Sequence, residues 1–434
     1  MASPFFPAIE TCPIDAIRNF QDIKLREHLH QLNSISPFYK RLFASSKVNI
    51  EKISGFRDLE QIPTTSKEDL QRHNADFICV DRKKIVDYIT TSGTQGDPVT
   101  FALTEKDLER LAYNEAISFT CADAMPGEIF QLMTTIDRRF MAGLAYFLGI
   151  RKLEGSIVRV GNGIPELQWD TIQRISPDTI IAVPSFILKI IDYAENHGID
   201  YRSSSVKKAV CIGEPLRNND LSYNTLARKI VEKWPIKLYS TYASTEMATS
   251  FTECSAGAGG HHHPELVIVE FLDDQNQPVK EGEQGEVTIT PLGVEGMPLL
   301  RFKTGDICSQ FTEPCSCGRT SFRLGPVIGR KNQMIKYRGT TLYPPSLYDI
   351  LDTIDYVDNY VVEVSTNDIE TDEIVIHAGS RQQISMMESD IKDHFRARLR
   401  VAPSIVFHTF DEIHRIQFPE ASRKPVKFID NRVK

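Results

Sequence analysis

The stretch ITTSGTQGDPVTFALTEKD, residues 89–107, decides how the chain is read. A Gly-rich turn leaves a strand-like run over residues 85–91 and sets Thr90, Thr91, Ser92 and Thr94 around Gly93 and Gly96. Thr104-Glu-Lys-Asp107 follows with capping-box spacing and predicts the start of a helix. A Walker-type loop would continue as Gly-Lys-Ser/Thr, but Gly96 is followed by Asp97 and Pro98, so that reading fails. A dinucleotide fingerprint, with three spaced glycines and an acidic residue on the next strand, fails as well. Two readings remain. One is a cradle of hydroxyls and backbone amides for β- and γ-phosphates, with its cation supplied from elsewhere; the other is a polar strand-to-helix turn.

The rest of the chain narrows the choice. Its 434 residues exceed what one hydrophobic core usually serves, which predicts a large domain and at least one smaller one. A hydrophobic share of 41% and a charged share of 25% are those of an ordinary globular protein. The net charge of −8 argues against a nucleic-acid backbone binder, which would carry a basic face or tail. The N-terminus lacks the pattern of a secretory signal. The most apolar stretch, TIIAVPSFILKIIDYA, is interrupted by Pro184 and Lys189 and is too short to span a bilayer. The 8 cysteines therefore read as reduced thiols of a cytoplasmic protein.

Over residues 85–244 strand-like and helical runs alternate: KKIVDYITTSG before LERLAYNEAISF, DTIIAV before SFILKIIDYAENHG, KKAVCIG before LARKIVEKW, then IKLYSTY. Gly198 is a natural helix stop. This alternation predicts a largely parallel sheet covered by helices. Beyond residue 253, ELVIVEFLD, GEVTITPL and DICSQF with turn-rich links predict a β-rich subdomain. From about residue 333 a helix near PPSLYDILDTI, two strands, a helix and a last strand (SIVFHTF) predict a compact α+β unit, with GRKNQM as the linker.

Six segments occur in a telling order: TTSGTQGDP, CIGEP, YASTE, FKTGD, GRKNQMIKYRG and SRKPVKFID. Together they resemble the acyl-adenylate-forming, or AMP-binding, superfamily. SPFYKRLF with IPTTSKEDLQ, and the ending KPVKFIDNR, resemble its phenylacetate–coenzyme A ligase family in particular; the resemblance runs from residue 38 to residue 432. It implies an α/β fold: a large domain over residues 1–331 with βα-layered sheets and a β-rich subdomain, and a small mobile C-terminal α+β domain over residues 332–434. It also implies an ATP-dependent, AMP-forming acid–thiol ligase making an aryl or arylacetic coenzyme A thioester.

The resemblance assigns residues in turn. Thr91, Ser92, Gly93, Thr94 and Gly96 would hold the leaving phosphates. Gly213, Glu214 and Pro215 would border the adenine pocket, and Tyr242, Ala243 and Ser244 would line it. Thr245 would bond the α-phosphate and Glu246 would hold Mg²⁺. Asp306 suits the ribose hydroxyls, because an ionised carboxylate accepts from both, and Arg330 resembles the arginine beside them. Lys424 matches the lysine that bridges the acid carboxylate and the α-phosphate, which would supply the missing cation. Asn332 stands where the family hinge carries Asp or Lys. Each residue also has an ordinary use: Asp306 as a turn residue, Glu246 as a helix-start carboxylate, Lys424 as part of a solvated basic tail.

Cys254, three consecutive histidines, Cys315 and Cys317 suggest a closed set of three thiolates and one imidazole, the donor set of structural zinc. The resemblance favours His262 as the fourth ligand, with His261 the alternative. Packed reduced cysteines beside an exposed histidine run are the rival reading. Phe140 and Phe147 read equally as acid-pocket lining or core, and the family's Gly-rich aromatic helix start is missing there. The expected partners are a carboxylic acid, ATP and coenzyme A, without nucleic acid or membrane, and a homodimer is compatible with the reading. Two rivals share the scaffold: transfer to another acceptor such as a carrier-protein pantetheine, and a non-catalytic nucleotide binder.

Overall fold

The structure, a computed structural model, describes residues 5–91, 99–337, 340–367, 372–382, 387–419 and 425–432. The chain divides into two units: Met1–Tyr223 with Ala227–Thr304 and Cys308–Pro326, and Val327–Lys434 with Asn224–Leu226 and Gly305–Ile307.

The first unit begins with helices α1 (Ile14–Ile35), α2 (Pro37–Ser45) and α3 (Lys67–Arg72). Strands β1 (Ile85–Thr90) and β2 (Thr100–Thr104) then form an antiparallel hairpin with Thr90 opposite Thr100. Strands β1 and β2 thus make a separate two-stranded sheet, and β1 is not a member of the parallel sheet as the alternation had suggested. Helix α4 (Glu105–Cys121) starts where the capping box predicts. Thr104 Oγ1 accepts from the Asp107 amide at 3.3 Å, and Asp107 Oδ2 accepts from the Thr104 amide at 2.9 Å.

The expected parallel sheet is present. Strands β3 (Ile129–Leu132), β4 (Ser156–Arg159), β5 (Thr179–Ala182), β6 (Lys208–Cys211), β7 (Lys237–Ser244) and β8 (Thr249–Thr252) lie in the order β4-β3-β5-β6-β7-β8. Every neighbouring pair is parallel except β7–β8. The crossovers carry α5 (Met141–Lys152), α6 (Pro165–Ile175), α7 (Pro184–Asn196) and α8 (Thr225–Lys233). Strands β5 and β6 are buried at every residue, which is why residues 180–182 and 209–211 read as apolar runs rather than alternations. Phe119, Phe130, Leu132, Tyr146, Ile150, Ile181 and Val210 form the core between sheet and helices. The β-rich part follows: β9 (Gly260–His261), β10 (Val267–Leu272), β11 (Gly285–Pro291), β12 (Phe302–Cys308), β13 (Gln310–Phe311) and β14 (Arg323–Leu324).

In the second unit β15 (Gly329–Arg330) pairs with the end of β12, and β16 (Ile335–Tyr337) forms a hairpin with β17 (Thr340–Leu342). Then come α9 (Pro344–Leu351), β18 (Asn359–Thr366), β19 (Asp372–Ser380), α10 (Glu388–Leu399), β20 (Ser404–Thr409), α11 (Phe410–Gln417) and β21 (Phe428–Asp430). The sheet order β20-β19-β18-β21 buries Val362, Val364, Ile374 and Ile376 against Leu347, Ile391 and Phe395. Helix α11 and strand β21 extend the expected pattern. A capping box, Thr409 with Glu412, was the available signal for α11. Among the described residues no helix is long and apolar enough to cross a membrane.

Helix α4 is buried along most of its length, yet its inner face carries polar groups. Asn114 donates to Ser250 Oγ at 3.1 Å and to Glu115 Oε1 at 3.0 Å. Ser118 and Thr252 share a further hydrogen bond. The helix packs so tightly on α5 that a Cβ at Gly149 would stand 2.2 Å from that of Glu115. Burial pushes the Glu115 carboxyl up to about 8, against the opposing bonds of Ser250 and Asn114. It is therefore protonated in the folded chain at neutral pH. Because the unfolded carboxyl ionises near pH 4.5 and the folded one near 8, stability falls as pH rises through that window. Glu115→Gln should abolish this slope. By urea unfolding, the variant should gain on the parent by on the order of a few kcal/mol between about pH 5.5 and about pH 8.5. A gap that stays constant with pH would contradict the assignment.

Candidate active site

Two loops that the sequence singled out leave neighbouring strands at the same edge of the parallel sheet. Strand β6 ends at Cys211, two residues before Gly213, and runs parallel to β7 with Cys211 beside Ser240. Strand β7 continues past it through Tyr242, Ala243 and Ser244 into a tight turn, residues 245–248, that joins it to β8. The carboxyl edge of an open parallel sheet is where such folds place ligands, because the loops there diverge and leave a crevice.

Gly213 and Pro215 are exposed and Glu214 is half-buried. Gly213 has a φ of +77°, a left-handed conformation that favours glycine. The Glu214 carboxylate reaches the start of α7, accepting from the Ser185 amide at 2.8 Å and from Ser185 Oγ at 3.0 Å. It satisfies a helix-start donor and complements the helix dipole, so it also braces the loop after β5. Sequence reading placed Glu214 beside the adenine and missed this bracing use, because nothing local announces a partner 29 residues away.

Tyr242 is half-buried and packs toward Phe251 on β8, with ring centroids 6.2 Å apart. In the turn Thr245 and Glu246 are half-buried, while Met247 is fully buried beneath them. The Met247 amide donates to Ser244 Oγ at 3.3 Å, and Ala248 has a φ of +47°. The turn therefore presents Thr245 and Glu246 outward on a buried anchor. Thr91 is buried at the end of the hairpin, its Oγ1 accepting from the Val99 amide at 3.1 Å. Ser92, Gly93, Thr94, Gly96 and Lys424 lie outside the described residues.

In the second unit Asp306 and Arg330 stand opposite each other on β12 and β15. Arg330 Nε lies 3.3 Å from Asp306 Oδ1, with the carboxylate buried and the guanidinium half-exposed. The two residues assigned to one sugar thus meet in one ion pair.

The cysteine and histidine cluster assembles with one change of member. Cys254, His261, Cys315 and Cys317 bring their ligand atoms within 4.8 Å of one another. Cys254 Sγ lies 3.6 Å from Cys315 Sγ, and Cys317 Sγ lies 3.5 Å from His261 Nε2. Hydrogen bonds from Cys254 and from His261 hold the Cys317 thiol well below its usual range, while Cys254, the donor, is raised. His262 is not in the cluster. Its Nε2 bonds the Val267 carbonyl at 2.7 Å, and its ring stacks on Phe322 at 4.3 Å. Consecutive strand residues face opposite ways, and the pairing of β9 with β14 turns His261 toward the thiols. The third histidine has another partner: His263 Nδ1 meets Glu10 Oε1 at 2.5 Å, and Arg319 Nε meets Glu10 Oε2 at 2.5 Å.

Phe140 lines a surface cavity of about 350 Å³ with Ile89, Leu108, Ile136 and Leu144, where Asp87 and Arg139 add charge. Phe147 lies elsewhere, with the Arg159 guanidinium 5.5 Å from its ring centre.

Residues 29–294 match the model of the AMP-binding enzyme family. The phenylacetate–coenzyme A ligase of Thermus thermophilus is 30% identical over 350 residues, covering 80% of this chain and 77% of the relative. That of Escherichia coli is 25% identical over 368 residues, covering 82% and 81%. A solved 2-hydroxyisobutyryl-CoA ligase, in complex with an acyl-AMP, has the same fold: TM-score 0.84 at 19% identity, over 99% of this chain and 95% of that one. This chain belongs to the phenylacetate–coenzyme A ligase family of AMP-binding enzymes. It is an AMP-forming acid–thiol ligase that works through an acyl adenylate.

Proposed function

We propose that the acid is an aryl or arylacetic one, activated by ATP and passed to coenzyme A. The observation that carries this reading is the placement of the β6 and β7 loops on adjacent strands at the carboxyl edge of the sheet. Beside them the sheet has its topological switch: β4 and β5 flank β3 on opposite sides, so the loops after β3 and β5 diverge and leave room for an acid. Support for an aromatic acid comes from the names of the relatives.

In the first step a carboxylate oxygen attacks the α-phosphorus and pyrophosphate leaves; in the second a thiol attacks the acyl carbonyl and AMP leaves. Two anions approach in the first step, so fixed positive charge is needed where negative charge gathers. Tyr242 would stack on the adenine, Thr245 would donate to the α-phosphate, and Asp306 would accept from the ribose hydroxyls with Arg330 beside it. Thr91, Ser92, Gly93, Thr94 and Gly96 would hold the outer phosphates, with Lys424 between carboxylate and α-phosphate. Glu246 is the carboxylate suited to hold Mg²⁺, which neutralises phosphate charge.

The reading is tested by pyrophosphate release from ATP with arylacetic, benzoic and short aliphatic acids, each with and without coenzyme A. Release should depend on the aromatic acids and accelerate with coenzyme A. Release with aliphatic acids alone would refute the substrate class, and indifference to coenzyme A would refute the acceptor. Lys424→Ala should slow adenylation by roughly 10²–10³-fold, the scale of one lost transition-state contact, and leave the thioester step much less affected. Near-normal adenylation would remove Lys424 from the mechanism.

For the knuckle formed by the cysteine and histidine cluster we propose structural zinc, held by Cys254, His261, Cys315 and Cys317, because three thiols and one imidazole leave no ligand position open. The buried Nδ1 of His261 has no hydrogen-bond partner among the described residues, and the Nε2 that faces the thiols is the donor such an ion would use. Elemental analysis after dialysis should find close to one zinc per chain. His261→Ala should lose the metal, whereas His262→Ala should keep it and lower only the unfolding temperature. The reverse pattern would overturn the ligand choice.

A further inference from the structure

Arg110 sits in the second turn of α4 and is buried. Its guanidinium forms no ion pair among the described residues. Asp107, three residues earlier, uses its carboxylate on Thr104 and on the amides of Glu295 and Gly296, at 2.7 Å and 2.9 Å for those two. Arg110 instead spends its donors on four acceptors from three distant segments. Nε donates to the Leu292 carbonyl at 2.6 Å, past the end of β11, and Nη2 to the Leu266 carbonyl at 2.6 Å, ahead of β10. Nη1 donates to the Ala248 carbonyl at 2.5 Å and Nη2 also to Thr249 Oγ1 at 3.1 Å.

These last two acceptors close the turn that carries Thr245 and Glu246. Ala248 is the residue at φ +47°, a conformation that a non-glycine residue holds only where its surroundings fix it. A buried cation is costly: burial outweighs the nearby Asp107 charge and pulls the Arg110 guanidinium down to about 10. Packing alone would be served by an apolar side chain of similar length. What an apolar side chain lacks is a rigid fork that can fix several carbonyls at once.

We propose that Arg110 is a positioning residue for adenylation: it fixes the backbone of the 245–248 turn and so sets where Thr245 and Glu246 meet the metal–nucleotide complex. The proposal rests on the reading of that turn given under Proposed function.

The test compares Arg110→Lys with Thr249→Val, which removes one acceptor of the same clamp, and with Lys208→Met. Lys208 is a buried cation at the opposite end of β6, paired with Glu128 at 2.9 Å, and serves as the stability control. Glu246→Gln tests the reading itself. Acid-dependent pyrophosphate exchange is titrated with Mg²⁺ and normalised to folded protein, and ATP affinity is measured separately with the metal chelated.

Arg110→Lys should raise the Mg²⁺ concentration for half-activity about 10-fold or more and lower maximal exchange by roughly 10- to 100-fold, the scale of a misplaced catalytic group. Thr249→Val should shift both the same way by a smaller factor, so the test stands even if Arg110→Lys does not fold. Metal-free ATP affinity should hold within about 3-fold in both. The proposal is overturned if both clamp variants lose only thermal stability, as Lys208→Met should, and keep the parent's metal titration per folded molecule. If Glu246→Gln leaves that titration unchanged, the reading of the turn falls and the proposal with it. A clear Glu246→Gln effect beside unaltered clamp variants removes the proposal alone.

Discussion

A helix that lies inside a protein must satisfy every polar group it brings there, and α4 brings many. Asp107, Arg110, Asn114, Glu115 and Ser118 are all buried, and their partners belong to β8, to the segments around β10 and β11, and to the start of the helix itself. A hairpin and a turn adjoin this arrangement. The hairpin β1–β2 runs into the helix cap at Thr104, and the 245–248 turn is held by Arg110. A fixed turn on a rigid base is what adenylation chemistry needs, because its catalysis is mostly positioning and charge placement.

The cysteine knuckle shows the same economy. Its four donors come from three places in the chain, and a second layer of charge lies directly behind them. Arg319 donates to Cys317 Sγ at 3.5 Å and to Glu10, while Glu10 also meets His263. Burial opposes the Glu10 charge, but His263 and Arg319 outweigh it and hold the carboxyl below its usual range. The amide of Thr320 donates to the Glu10 carbonyl at 2.7 Å, so the N-terminal segment is sewn to the knuckle by backbone as well as by charge.

What the sequence revealed and what it concealed separate by range. The parallel strands were legible because burial on both faces makes residues 180–182 of β5 and 209–211 of β6 apolar runs. The start of α4 was legible because a capping box is local. The hairpin at residues 85–104 was not, since antiparallel pairing across the glycine loop is a tertiary fact. Three histidines in a row left the ligand undecided, and only the register of β9 against β14 singles out His261. Nothing local marks Arg110, because its partners lie 138 to 182 residues away. Nothing local marks Glu10 either, whose partner His263 is 253 residues on.

The measurement that bears most directly on acid–thiol ligation through an acyl adenylate follows an oxygen atom. An accepted aromatic acid carrying isotopically heavy oxygen in its carboxylate is turned over with ATP and coenzyme A, and the products are examined by mass spectrometry. Attack of the carboxylate on the α-phosphorus, followed by thiol attack on the carbonyl, leaves one heavy oxygen in AMP and the other in the thioester. Unlabelled AMP, or label in an inorganic phosphate released with ADP, would contradict the account.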